Sequence, residues 1–209
     1  MKLLLLSPHT DDVELGCGGT IAKFLKTGAD IFWIVFSNAS ESLPPDIDKD
    51  TLLKEFNGVL KIYNFPAGNV KICGYRVRHL HTHRQEILEE MVSLRKTFNP
   101  DLVLGPSVHD FHQDHQIIAN EMIRAFKTNS SIISYELPWN HITFNTQLFV
   151  KLNEQDMQKK YDALKCYQSQ IMQGKEYFSE EFITGLAKTR GIQCNAQFAE
   201  AFEVIRWMI

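Results

Sequence analysis

The chain reads as a single Rossmann-like α/β domain over residues 1–209, three layers deep, with a mostly parallel central sheet. Three observations predict it. Short continuous apolar runs recur at Leu3–Leu6, 31–38 ("IFWIVFSN") and 101–106 ("DLVLGP"), as expected of strands covered on both faces. Segments with helical periodicity separate them, giving the β-α-β alternation of a doubly wound sheet. A length of 209 residues with 44% hydrophobic and 22% charged side chains suits one domain with a sizeable core.

The elements follow in order. After Leu3–Leu6 comes a glycine-rich turn, and "GGTIAKFLKTGAD" then predicts a helix stopped by Gly28. Strand 31–38 leads into loop 39–50, where Pro44-Pro45 excludes regular structure. A helical pattern runs from Leu52 to Tyr63, and a short strand is expected at Val70–Ile72. Ile87, Leu88, Met91, Leu94 and Phe98 mark one face of a helix over 84–98. Strand 101–106, a helix over 116–127 and strand 132–137 ("IISYEL") continue the alternation. The final third offers a strand at Leu148–Leu152, helices near 154–168 and 179–189, and a terminal strand "FAEAFEVIRW".

Composition excludes several classes of function. A net charge of −3 and a pI near 6.2 leave no basic face for nucleic acid or anionic lipid. The opening apolar run is too short for a membrane span or signal peptide, and acids follow it at once. Cys17, Cys73, Cys166 and Cys194 are scattered without a C-x-x-C pair, as in a cytoplasmic protein with reduced thiols. The expected partner is therefore a small molecule; oligomeric state is left open, a homo-oligomer included.

Two polar constellations interrupt this apolar pattern where strands end, the place where open α/β sheets bind ligands. The first is "PHTDD" (8–12), followed by "GCGGT". His9 and Asp12, three apart, can reach one metal ion, which leaves Asp11 for proton transfer. Two other readings compete: the acids as caps of the following helix, or the glycines as a phosphate cradle, although no G-x-G-x-x-G pattern is completed. The second constellation, "VLGPSVHDFHQDHQIIA" (103–119), carries His109, Asp110, His112, Asp114 and His115. Histidines at 109, 112 and 115 have a spacing that allows several to share a helical face. Two imidazoles and one carboxylate with an open position form a catalytic zinc arrangement, and Asp114 is placed to orient an imidazole from behind.

These residues resemble the PIG-L/LmbE-like zinc deacetylases, whose two motifs usually read A-H-P-D-D and H-P-D-H; here they read "PHTDD" and "HQDH". The resemblance is clear over about residues 1–126. It implies that His9, Asp12 and His115 bind Zn2+, with Asp11 as general base. His112 would be general acid or oxyanion stabiliser, and Asp114 its orienting partner. The implied reaction is removal of an acetyl group from an N-acetylglucosamine-type sugar or conjugate by metal-activated water. The family often places an arginine on the helix after the second strand to hold substrate. This chain has no arginine before Arg76, so Arg84 is the expected substrate-binding replacement, the alternatives being Arg78 or no replacement at all. The alternatives are a Rossmann-like nucleotide-binding module, or an amidase acting on a non-sugar or thiol-sugar amide.

Weaker signals remain. His79, His81 and His83 alternate in "RHLHTHR" and read as a polar rim or solvated loop rather than a second metal site. Arg190 and Glu200 are expected to pair within the C-terminal layer. Cys17 has no base beside it in any motif. Tyr135, Trp139 and Tyr167 are core or sugar-stacking residues.

Overall fold

The computed structural model describes residues 1–208. Seven strands form one sheet: β1 (Lys2–Ser7), β2 (Asp30–Val35), β3 (Val70–Ile72), β4 (Leu102–Pro106), β5 (Ser131–Tyr135), β6 (Leu148–Leu152) and β7 (Phe198–Arg206). Their spatial order is β3-β2-β1-β4-β5-β7-β6. The pairings from β3 across to β5 are parallel, and β7 runs antiparallel to both of its neighbours. The helices are α1 (Asp12–Lys26), α2 (Thr51–Ile62), α3 (Arg84–Thr97), α4 (Gln113–Phe126), α5 (Glu154–Leu164), α6 (Gln168–Met172) and α7 (Glu180–Gln193).

Alternation along β1 explains why its apolar run is unbroken. Leu3 and Leu5 pack into one core with residues of α1, α2, α5 and α7, while Leu4 and Leu6 pack into a second core with α3 and α4. A strand sandwiched between helix layers has no solvent face, so every position is apolar. The chain turns outward from β1 to β2 on one side and from β4 to β5 on the other. The sheet therefore changes winding direction between β1 and β4, and loops leaving adjacent strands diverge there to open a crevice.

Local expectations needed correction at several elements. The glycines of "GCGG" lie inside α1, which begins at Asp12, and not in a turn before it. The helix is kinked at Cys17 (φ −148°, ψ 29°). Its glycines allow close packing: a Cβ on Gly16 would stand 2.5 Å from Tyr135 Cδ2, and one on Gly19 would collide with Leu152. A buried ion pair closes the kink. Lys160 Nζ donates to the Leu15 carbonyl (2.7 Å) and to Glu200 Oε1 (2.7 Å), while Glu200 accepts from the amides of Gly19 (3.0 Å) and Thr20 (2.7 Å). Glu200 thus serves Lys160 and the broken helix, and Arg190 pairs with Glu136 instead (Nε–Oε2 2.9 Å). The helix expected near 154–168 ends at Leu164, and a separate short helix, α6, follows.

Candidate active site

The turn after β1 and the turn after β4 bring two sequence-distant clusters together. His9 lies two residues past β1, and its backbone amide donates to Asp12 Oδ2 (2.8 Å), folding the turn back on itself. Asp11 occupies the N-cap position of α1, but its carboxylate makes no capping hydrogen bond. Capping therefore does not account for the paired acids. From the other strand, His112 caps α4 and His115 lies in its first turn, and both line one cavity with His9.

Three donor atoms converge. His9 Nδ1 is 3.2 Å from Asp12 Oδ2, His115 Nε2 is 3.2 Å from the same oxygen, and the two nitrogens are 3.3 Å apart. Ligands about 2.0–2.1 Å from a tetrahedral zinc ion stand about 3.3–3.4 Å from one another, so this nearly equilateral triangle matches one face of such a site. The imidazoles of His9, His112 and His115 also bring nitrogens within 4.8 Å of one another. The atoms of the His9–Asp12–His115 triangle lie closer together than those of the three imidazoles, and His112 Nδ1 accepts from the Asp114 backbone amide (3.2 Å).

Each convergent imidazole is held from behind by a carboxylate. His9 Nε2 lies 3.0 Å from Asp114 Oδ2, and His115 Nδ1 lies 2.7 Å from Asp110 Oδ2. Such partners fix the ring orientation and raise the basicity of the nitrogen facing the centre. Asp114 was expected to orient His112, but its carboxylate turns to His9 and accepts from the amides of Arg78 (2.6 Å) and Leu80 (3.3 Å). Asp110 is the orienting residue that sequence reasoning passed over. It was visible as one acid among five polar groups, but no spacing rule distinguishes it from Asp114.

The electrostatics show a site that draws positive charge. Burial alone would lower the His9 imidazole, yet the Asp12 carboxylate and hydrogen bonds to Asp114 and Asp12 raise its pKa to about 9. His115 rises against burial to about 10, through Asp12 and Asp110. Asp12, despite burial, is pulled far below the usual carboxylate range by the same two imidazoles. His112 behaves oppositely: burial, then His115 and His9, lower it to about 4. Its ring is thus neutral near pH 7, and because Nδ1 accepts, the ring proton sits on Nε2. Asp11 is raised by burial and by the adjacent Asp12, with Lys175 and His9 opposing.

A cavity of about 210 Å³ covers this floor. Asp11, Asp12, His9, His112 and His115 line its base, and Trp139, Asn140, Gln170, Lys175 and Tyr177 line its outer wall. Several expected residues lie elsewhere. Arg84 binds the fully buried Glu121 (Nε–Oε1 2.8 Å) and does not line the cavity, because Glu121 is held there between Arg84 and Arg124. Arg78 offers its backbone amide to Asp114 and its guanidinium to the Glu41 carbonyl (3.3 Å). His109 is exposed in the turn before α4, outside the cluster. His79, His81 and His83 also lie outside the cavity. Of the aromatic candidates, Tyr135 and Tyr167 are buried: Tyr135 donates to the Leu6 carbonyl (3.1 Å), and Tyr167 donates to the Thr10 carbonyl inside the first motif.

The family model for PIG-L, described as GlcNAc-PI de-N-acetylase, matches residues 4–126. The chain belongs to the PIG-L family. A PIG-L relative in Escherichia coli K12, described as the uncharacterized deacetylase YaiS, is 25% identical over 170 residues, covering 80% of this chain and 90% of that protein. The diacetylchitobiose deacetylase of Thermococcus kodakarensis is 22% identical, covering 98% of this chain and 83% of its own. The crystal structure of GalB, the 4-carboxy-2-hydroxymuconate hydratase of Pseudomonas putida, superposes with a TM-score of 0.78 at 18% identity, covering 100% of this chain and 97% of GalB. That last likeness establishes the shared fold and nothing about chemistry, since one fold hosts different reactions. Among the described residues, no helix of this PIG-L protein is long and apolar enough to cross a membrane.

Proposed function

We propose that this protein is a zinc-dependent hydrolase that removes the acetyl group from an N-acetylated amino sugar or sugar conjugate of the N-acetylglucosamine type. The observation that carries the reading is the near-equilateral His9–Asp12–His115 triangle with the carboxylate of Asp11 beside it and outside it. His9 Nδ1, Asp12 Oδ2 and His115 Nε2 would hold the ion. When bound, zinc supplies Lewis acidity to a carbonyl and to water.

The chain's own groups divide the remaining work. Asp11, whose raised pKa suits it to carry a proton, takes one from the attacking water and returns it to the departing nitrogen. The balance is one water and one amide consumed, one acetate and one amine released. His112 is neutral with its proton on Nε2, so it serves as a hydrogen-bond donor to the developing oxyanion. Delivery of that proton to nitrogen would leave an imidazolate, which favours Asp11 over His112 as the acid. The T. kodakarensis relative, named for an N-acetylated sugar substrate, supports the sugar assignment.

The nucleotide-binding reading loses its basis in the glycines, which pack against Tyr135 and Leu152 inside α1. Metal analysis followed by an acetate-release screen over N-acetylated sugars tests the proposal. One zinc per chain and acetate release that stops with EDTA and returns with zinc are expected. A zinc-loaded protein that releases acetate from none of them overturns it.

A further inference from the structure

Lys175 is the single Lys or Arg among the residues lining the cavity. It is held rather than free. Its ammonium donates to the side-chain oxygen of Gln170, whose own Nε2 donates to Ser169 Oγ (3.0 Å). Ser169 in turn donates from its amide and its hydroxyl to Glu55 on α2 (2.7 Å each). This chain of hydrogen bonds ties a surface turn to a packed helix. Gly174, at φ +72°, allows the chain to turn immediately before the lysine. An ammonium carries three donors, and one is used internally.

Tyr177 completes the arm. Its ring stacks on Trp139 with centroids 4.1 Å apart at 11°, and Lys175 Nζ lies 5.9 Å from its centroid. Tyr177 remains protonated at neutral pH, since burial and the charges of Asp11 and Asp12 push its phenol above the ordinary value. This side of the cavity therefore presents one ammonium, one phenol, two neutral amides and an indole, while Ala39, Ser42, Leu52 and Val77 line the rest. A wall of this kind suits a neutral ring bearing hydroxyls on its edge and C–H groups on its face. A cavity of about 210 Å³ is smaller than the roughly 300–1,000 Å³ that holds drug-sized ligands, and its size fits one ring.

We propose that the Lys175–Tyr177 arm, braced by Gln170 and Trp139, grips the sugar ring of the substrate and is the specificity-determining element of this pocket. It does the work that Arg84 was expected to do. The assignment rests on the deacetylase reading above and deepens it by placing ring recognition in the last third of the chain.

The test uses the zinc-loaded full chain. Binding of N-acetylglucosamine is measured by calorimetry in the Asp11→Asn background, and KM and kcat for acetate release are measured with Asp11 intact. Lys175→Met is expected to weaken binding and raise KM about tenfold, equivalent to about 1.4 kcal/mol. The expected kcat, compared on the plateau of each variant's pH profile because Lys175 also opposes the raised pKa of Asp11, changes less than threefold, as for loss of binding shared by ground and transition states. Zinc content should hold, and Lys175→Arg should recover most of the affinity. Tyr177→Phe should raise KM by a smaller factor. If both variants bind and turn over the sugar like the parent, the arm is overturned and deacetylation stands. If the parent releases no acetate yet binds the sugar in a Lys175-dependent way, the deacetylase reading falls and the arm stands. A parent that neither binds the sugar nor releases acetate from any N-acetylated sugar overturns both.

Discussion

The floor of the cavity takes its ionisable groups from two stretches, residues 9–12 and 110–115, each fixed at the end of a central strand. The outer wall takes Trp139, Asn140, Gln170, Lys175 and Tyr177 from a short helix and surface turns in the last third. Floor residues hold one another through buried carboxylates, as in His9–Asp114 and His115–Asp110. Wall residues are held through relays and ring stacking nearer the surface. The family match ends at residue 126, so it spans the whole floor and none of these five wall residues. Bond-making groups that must be placed to within fractions of an ångström sit on rigid elements, and groups that choose a substrate sit on loops free to vary.

The largest expected effect lies on the floor. Asp11→Asn should lower kcat by about 10²–10⁴, the range for loss of a positioned general base. Zinc content should be unchanged, because Asp11 lies outside the donor triangle. That loss should exceed the effect of any single wall substitution by at least tenfold. Stopped assays of acetate release with metal analysis on the same samples decide it. A variant that loses its zinc, or keeps its rate, shows that floor and wall do not divide the labour in this way.

The same contrast explains what was readable in the sequence. Floor groups fall within six consecutive positions in one motif and four in the other, so a strand end plus a polar cluster reveals them. The apolar runs gave the strands for a similar reason: Leu3–Leu6 alternate between two cores and leave no polar position to blur the signal. Wall residues are spread from 139 to 177 without a motif, and Lys175 in "QGKEYF" looks like any solvated lysine until Gln170 and Tyr177 are seen beside it. Arg84 misled because its partner Glu121 is 37 positions away on α4. The glycine run misled because the side chains that require it, Tyr135 and Leu152, arrive from distant strands.

A smaller effect probes the support behind the floor. Asp110→Asn removes the charge 2.7 Å from His115 Nδ1. Loss of an outer partner of this kind weakens metal affinity by about 10–100-fold. Competition against a chromophoric chelator measures it, and kcat at saturating zinc should fall far less than in Asp11→Asn. Unaltered affinity would mean that His115 does not depend on its carboxylate partner, and the floor would then be less interlocked than its hydrogen bonds imply.

The smallest effect separates floor from wall by pH. In protein stripped with EDTA, His9 and His115 titrate at about 9 and about 10, above the ordinary value of 6.5. Groups whose pKa is raised by folding stabilise fully below their unfolded pKa, and that contribution is lost as pH rises through the folded one. Asp12, Asp110 and Asp114 are lowered, so their contribution is present above about pH 4 and lost on further acidification. Above about pH 6.5, where the lowered carboxylates and His112 already hold their neutral-pH charge, stripped protein should thus lose several degrees of Tm towards pH 10, at about 2–4 °C per kcal/mol in a chain of this size. Zinc must displace the two imidazole protons, so its affinity rises over the same pH interval and the loaded protein should not show the decline. Scanning calorimetry on both forms measures the difference. A stripped protein whose Tm stays level from pH 6.5 to 10 would show that the floor does not hold those protons. The triangle would then lack the affinity for positive charge that fits it to a metal ion.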